Sequence, residues 1–380
     1  MANEKNLILP SDPKANYLVH KEEIDSAIHN VLDSGKYILG QQVRSFEKEF
    51  ADYLDLEFAI GVGSGTEALH LALLACGIKS GDTVITVSHT AVATVAAIEL
   101  SGAKPFLVDI DELSYNMDPV LLEKAIVENV NRGIKPKAVV AVHLYGYPAN
   151  MPEIIDIAKR YDFRVIEDCA QSHGASIGGK LTGSWSDIAA FSFYPTKNLS
   201  ALGDAGAVVT SDHALVEKVR LLREYGWKER YFSDICGFNS RLDELQAAVL
   251  RVKLKFLDKE NSRRNEIAKI YDDALSATAL RLPRVVVNDI VHAYHQYAVR
   301  TSKRDALRNY LKDNGVETLI HYPMPVHQQK AYFGRLDIAS GGLNNTEKVC
   351  KEILSLPMHP HMSDEQAWRV AGLILDWSEK

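Results

Sequence analysis

The chain has 380 residues, 46% hydrophobic and 24% charged, an ordinary globular composition with enough length for two domains. Its net charge of −7 is spread along the chain, which excludes a general nucleic-acid binder, because such proteins need excess Lys and Arg to neutralise phosphates. The four cysteines, Cys76, Cys169, Cys236 and Cys350, form neither metal-ligand pairs nor a disulfide framework, as expected of a reducing compartment.

In chain order, the opening residues Met1 to Lys5 lead into no apolar signal region. The first apolar run is Ala59–Val62, and the glycine-rich turn Gly61-Val62-Gly63-Ser64-Gly65-Thr66-Glu67 closes it and opens a helix that ends at Gly77. Ser64 and Glu67 have the capping-box spacing. The free N–H groups of such a helix start attract phosphate, and a plain capped turn reads equally well from these residues alone. Further buried runs follow at Thr83–Thr86, Lys104–Val108, Ala138–His143, Arg164–Glu167, Ala189–Phe193 and Ala207–Thr210. They are mostly unalternated, as in strands covered on both faces, and helical stretches such as Met151–Tyr161 separate them. The alanine-rich stretch Ala91–Leu100 contains Glu99 and is too short to span a bilayer. The pattern predicts an α/β fold with a mainly parallel, seven-stranded sheet covered by helices, with ligands at the carboxyl ends of the strands. The protein is expected to be cytoplasmic, without membrane or nucleic-acid partners.

Asp168 falls at the end of one such run, where a carboxylate can pair with a protonated ring nitrogen or cap the next segment. Gln171 follows three residues later. Lys197 follows the run ending at Phe193 and precedes a glycine-containing turn; a lysine in a partly apolar pocket has a depressed pKa and a nucleophilic amine. Ser192, before it, can donate to a phosphate. After Leu242 a long helical stretch to Leu275 leads into shorter elements: strands at Tyr294–Thr301 and Thr318–Tyr322, and a helix at Arg304–Asp313. This predicts a large domain over residues 1–258 and a smaller α+β domain over 259–380, with the N-terminal segment packing on either.

The ordered blocks SGTEALHLAL, VIEDCAQSHGA, SFYPTKNLSALGDAGAVVT and GFNSRLDELQAAVL together resemble the DegT/StrS-type sugar aminotransferases. These are fold-type-I enzymes dependent on pyridoxal phosphate (PLP), and the resemblance runs from about residue 36 to Pro360. It implies that Lys197 carries the cofactor and shuttles protons. Asp168 would pair with the ring nitrogen, and Gln171 would contact the ring hydroxyl. Ser64, Gly65, Thr66 and Ser192 would hold the phosphate, and His89 would stack on the ring. Asn239 would reach the phosphate of a second subunit's cofactor, which implies a homodimer with shared active sites. Tyr194, Arg230, Tyr231, His321, Tyr322 and His327 would face the substrate; no metal is implied.

The implied reaction passes an amine from glutamate to a nucleotide-linked keto sugar. The stretch from Ile320 to His327, with Leu356-Pro357-Met358-His359-Pro360, resembles members that aminate C-3 of a 6-deoxyhexose linked to dTDP, rather than C-4. A related sugar dehydratase carries histidine where Lys197 stands here, and the intact cofactor set argues against a regulator without chemistry.

Overall fold

The computed structural model describes residues 7–283 and 289–378, so the opening residues 1–5 discussed above lie outside it. Helices α1 (Pro13–Val19), α2 (Lys21–Ser34) and α3 (Gln41–Tyr53) come first. Strands and helices then alternate through β1 (Phe58–Val62), α4 (Gly65–Ala75), β2 (Thr83–Val87), α5 (Val92–Leu100), β3 (Lys104–Val108), α6 (Pro119–Asn131), β4 (Ala138–Val142), α7 (Met151–Tyr161) and β5 (Arg164–Asp168). A short hairpin, β6 (Ser176–Ile177) and β7 (Lys180–Leu181), precedes β8 (Ile188–Ser192), β9 (Gly206–Thr210) and α8 (His213–Arg223). A second hairpin, β10 (Trp227–Glu229) and β11 (Phe232–Ser233), leads to α9 (Glu244–Leu254) and α10 (Leu257–Leu275). The remainder holds β12 (Ile290–Val291), β13 (Tyr297–Arg300), α11 (Arg304–Asp313), β14 (Asp337–Ile338), α12 (Asn344–Glu352), β15 (Ile353–Leu356) and α13 (Asp364–Ser378).

The main sheet has eight strands in the order β1-β9-β8-β5-β4-β2-β3-β14. It is parallel except for β9, which runs against both β1 and β8. Strands β2 and β4 are buried at every residue, which is why their sequences are continuous apolar runs rather than alternating ones. The seven predicted runs are seven of these strands. The eighth, β14, pairs only Asp337 and Ile338 with Phe106 and Leu107. Such an edge contact is made by main-chain groups, and its exposed side chains leave no apolar signature.

Two departures concern the C-terminal part. Thr318–Tyr322 is not a strand: only Leu319 bridges to Ser355, and the chain then leaves the sheet. Strand β13 begins at Tyr297 rather than Tyr294, whose positive φ of 41° breaks the extended backbone.

Apolar residues cover both faces of the main sheet. A separate core gathers α10, α11, α13, β13 and β15, and Ile8 from the N-terminal segment joins it while bridging to Val316. Among the described residues no helix is long and apolar enough to cross a membrane.

Arg300 on β13 ties this second core to the main sheet. Its side chain is 1% exposed and binds Glu352 Oε2 at 2.7 and 3.1 Å. It also binds Glu112, in the loop after β3, through Oε1 at 2.9 Å and the carbonyl at 3.1 Å. Lys348 and Arg300 together hold the Glu112 carboxyl down at about 2. Removing one member of a buried ion pair strands the others, at a cost of about 3–5 kcal/mol. Because the two glutamates keep some contact with water, Arg300→Met should lower stability by about 3 kcal/mol, the bottom of that range. Urea unfolding monitored by circular dichroism checks this.

Candidate active site

The carboxyl ends of β5 and β8 and the start of α4 meet at one place. At the start of α4, Ser64 is the N-cap, and its Oγ accepts from the Glu67 main-chain N–H. The Ser64 hydroxyl in turn donates to Glu67 Oε2 at 3.3 Å, which draws the glutamate back toward its cap. Gly65 lies against the end of β8 so closely that a Cβ on it would sit 2.5 Å from Ser192 Cβ. A Cβ on Gly206 would come within 2.4 Å of the Ser64 carbonyl oxygen. No side chain fits between these elements, so Ser64, Gly65 and Thr66 lie beside Ser192 at a helix start, whose first N–H groups have no partner within the helix.

Lys197 follows β8 in a turn closed by its own N–H donating to the Tyr194 carbonyl at 2.8 Å. Burial pushes its amine down to about 8, against the opposing pull of the Asp168 carboxylate. Asp168, 5% exposed at the end of β5, has its pKa raised by burial. Four influences work in the other direction: the Thr94 hydroxyl donating to Oδ2 at 2.8 Å, the Ala170 N–H donating to Oδ1 at 3.2 Å, the charge on Lys197, and the nearby His143. A nucleophilic amine thus faces a desolvated carboxylate.

Gln171 is fixed from both sides. Its Oε1 accepts from the Tyr145 N–H at 2.7 Å, and its Nε2 donates to the Tyr322 hydroxyl at 3.1 Å. The loop carrying His321 and Tyr322 therefore lies over the same site. His321 Nδ1 bonds Ser355 Oγ at 2.9 Å, and burial together with the charge of Lys197 lowers its pKa to about 4.

Other expected residues stand elsewhere. The His89 ring is buried, at 0% exposed. Its Nε2 bonds Tyr145 Oη at 2.8 Å, its Nδ1 bonds Cys350 Sγ at 3.3 Å, and Tyr145 Oη donates to the His321 carbonyl. Through these bonds the histidine braces the loop that carries His321. His327 is likewise a clasp, with Nδ1 on Ser88 Oγ at 2.8 Å and Nε2 on Glu347 at 3.2 Å, leaving no ring nitrogen for a substrate. Tyr194, Arg230, Tyr231 and Asn239 are exposed, and Arg230 lies over the Tyr231 ring at 5.0 Å. Among the described residues, none of Arg230, Tyr231 and Asn239 bonds to Lys197, Asp168 or Gln171 of the same chain.

Three residues at the site were not singled out from the sequence. Thr94 belongs to a stretch that reads only as alanine-rich. Tyr145 follows the apolar run Ala138–His143 and takes a positive φ of 60°, the kind of backbone outlier that sequence does not signal. Asn198, beside Lys197, is the most legible: it sits within the quoted block and pins the turn to Asn261 and to the Ala293 carbonyl, both at 2.8 Å.

This arrangement fits pyridoxal phosphate. The low-pKa amine can carry it, the desolvated carboxylate can take its ring nitrogen, and the helix start can take its phosphate. Residues 19–375 match the DegT/DnrJ/EryC1/StrS aminotransferase family. The chain is 44% identical over 370 residues to the dTDP-3-amino-3,4,6-trideoxy-alpha-D-glucose transaminase of Streptomyces venezuelae, covering 97% of this chain and 96% of that one. It resembles the crystal structure of S. venezuelae DesV in complex with a ketimine intermediate, with a TM-score of 0.94, 44% identity, and coverage of 99% of this chain and all of that one. It also resembles NtdA from Bacillus subtilis with bound cofactor PMP, with a TM-score of 0.88, 30% identity, and coverage of 100% of this chain and 87% of that one.

The lowered amine pKa makes a direct prediction. The free-amine fraction of Lys197 rises as pH passes through about 8, so apoprotein mixed with PLP should turn yellow faster as the pH is raised across that value. Borohydride should then fix the cofactor to Lys197 in a peptide map. An adduct on another lysine would remove Lys197 from this role.

Proposed function

Because the chain belongs to the DegT/DnrJ/EryC1/StrS aminotransferase family, we propose that it moves an amine from glutamate to C-3 of a dTDP-linked 3-keto-6-deoxyhexose. It is a PLP-dependent sugar aminotransferase. The observation that carries the reading is the nucleophilic Lys197 amine set against the buried Asp168 carboxylate, beside the helix start at Ser64.

When bound, the cofactor supplies an electron sink for a carbanion at the substrate carbon. The protein's residues do the rest. With the cofactor bound, Lys197 would move the proton at the substrate carbon, which needs an amine near neutrality rather than a permanent ammonium. Asp168 keeps the ring nitrogen protonated, so its own charge must survive burial. Ser64, Gly65, Thr66 and Ser192 hold the phosphate, Gln171 the ring hydroxyl, and His321 and Tyr322 face the sugar. The C-3 assignment is supported by the Streptomyces relative, whose name describes a 3-amino sugar.

The working unit in this proposal is a homodimer in the cytoplasm, with Asn239 reaching the second copy's phosphate site. Its exposure, together with that of Tyr231 and Phe232 at 71% each, supports a covering partner. Each chain divides near residue 258 into a large cofactor domain and a smaller C-terminal one.

Matched 3-keto and 4-keto nucleotide sugars, with glutamate and NMR of the product, test the regiochemistry: the 3-amino product is expected, and amination of the 4-keto sugar alone would refute it. Mixing inactive Lys197→Ala and Asn239→Ala subunits should restore activity, since one hybrid site regains both groups. No recovery after proven subunit exchange would dismiss the shared site.

A further inference from the structure

We propose that Thr94 is a positioning residue for Asp168, acting with Thr90 as a one-way hydroxyl relay that keeps the carboxylate ionised and aimed at the cofactor ring. The inference rests on the reading of Asp168 as partner of the ring nitrogen.

Thr94 is the third residue of α5 and is 1% exposed; Thr90 precedes the helix and is 3% exposed. Thr94 Oγ1 lies 2.8 Å from Asp168 Oδ2 and 2.8 Å from Thr90 Oγ1. Each hydroxyl has one hydrogen to give. An ionised carboxylate has none, so the Thr94 hydrogen goes to Asp168, and the Thr90 hydrogen fills the lone pair on Thr94. The direction is fixed by the charge at its end. The first turn of a helix also carries partial positive charge, which favours a carboxylate there.

The relay matters because of what else supports Asp168. The charge on Lys197 helps, but Lys197 gives and takes protons during the reaction, so its help varies. The Thr94 hydroxyl and the Ala170 N–H, one on each carboxylate oxygen, are constant donors. Without Thr94, Asp168 holds a proton more tightly and competes with the ring nitrogen for it. A ring nitrogen with a weaker hold on its proton withdraws less charge from the lysine-bonded nitrogen. That nitrogen becomes more basic.

The test uses holoenzyme carrying Thr94→Val, which keeps the shape and loses the hydroxyl, beside Thr94→Ser, which keeps the hydroxyl. Thr94→Val should bind PLP and melt near the wild-type temperature. The pH midpoint of its visible absorbance should move upward, and its half-reaction with glutamate should slow by about tenfold, the lower end of what one hydrogen bond to a charged group supplies. Thr94→Ser should restore both to within about threefold. A normal midpoint and rate in Thr94→Val would overturn the proposal, and so would equal impairment of the Val and Ser variants, which would mean packing alone. If Thr94→Val does not fold, Thr90→Val decides: a smaller upward shift in midpoint supports the relay, and none overturns it. Asp168→Asn separates the two claims. A crippled Asp168→Asn beside a normal Thr94→Val defeats the relay only, whereas a normal Asp168→Asn defeats the reading of Asp168 itself.

Discussion

A carboxylate taken out of water at the end of a β-strand is the constraint on which this molecule turns. Burying an ion costs several kcal/mol unless hydrogen bonds and opposite charge offset it. Strand β5 ends with two such acids in succession, and they face opposite sides of the sheet because side chains alternate along a strand. Glu167, 0% exposed, is fully occupied: it accepts from the N–H groups of Gly183, Trp185 and Ser186, from Ser186 Oγ and from His143 Nε2, all between 2.8 and 3.0 Å. Its pKa is held below the ordinary carboxylate value because these donors outweigh its burial. Among the described residues the Asp168 carboxylate accepts hydrogen bonds from Thr94 and Ala170 alone and so retains capacity for a ligand. The first acid is spent on holding the strand end; the second is left for chemistry.

The surrounding histidines follow from the same electrostatics. Burial first, and the charge of Lys197 second, lower the pKa of His173 to about 3 and of His321 to about 4, and His295 falls in the same direction. These rings are therefore neutral at working pH and add no positive charge around the lysine. A site with three imidazolium ions would repel the proton that Lys197 has to carry.

The main sheet was legible because its strands are buried on both faces. Each became an apolar run, and several helices between them carried a capping residue, as with Ser64 before Glu67 and Asp118 before α6. Asp168 and Lys197 drew attention at strand ends, but each alone reads as a cap or a surface lysine, and it was the four ordered blocks together that singled them out. What escaped has physical reasons. Edge strand β14 is held by main-chain groups, and Thr318–Tyr322 has strand-like residues but is drawn away to cover the site. His327 looked like a substrate-facing histidine, and only tertiary contact reveals that its ring nitrogens are already engaged. Thr94 carries one hydroxyl in an apolar helix. Its importance comes from a residue 74 positions later in the chain.

The turn holding Lys197 is not an independent loop. Asn198 gives its amide hydrogens to Asn261 on α10 and to the Ala293 carbonyl, and Asn261 in turn binds the His173 carbonyl, just past Asp168. Helix α10 has 19 residues and so spans about 28 Å, running from this anchor into the second core. Mechanically it is a rigid beam fastened beside the reacting lysine at one end and embedded in the second core at the other. Lys197 and the segment that follows Asp168 thus share one fastening, so a single helix ties the positions of amine and carboxylate to the second core.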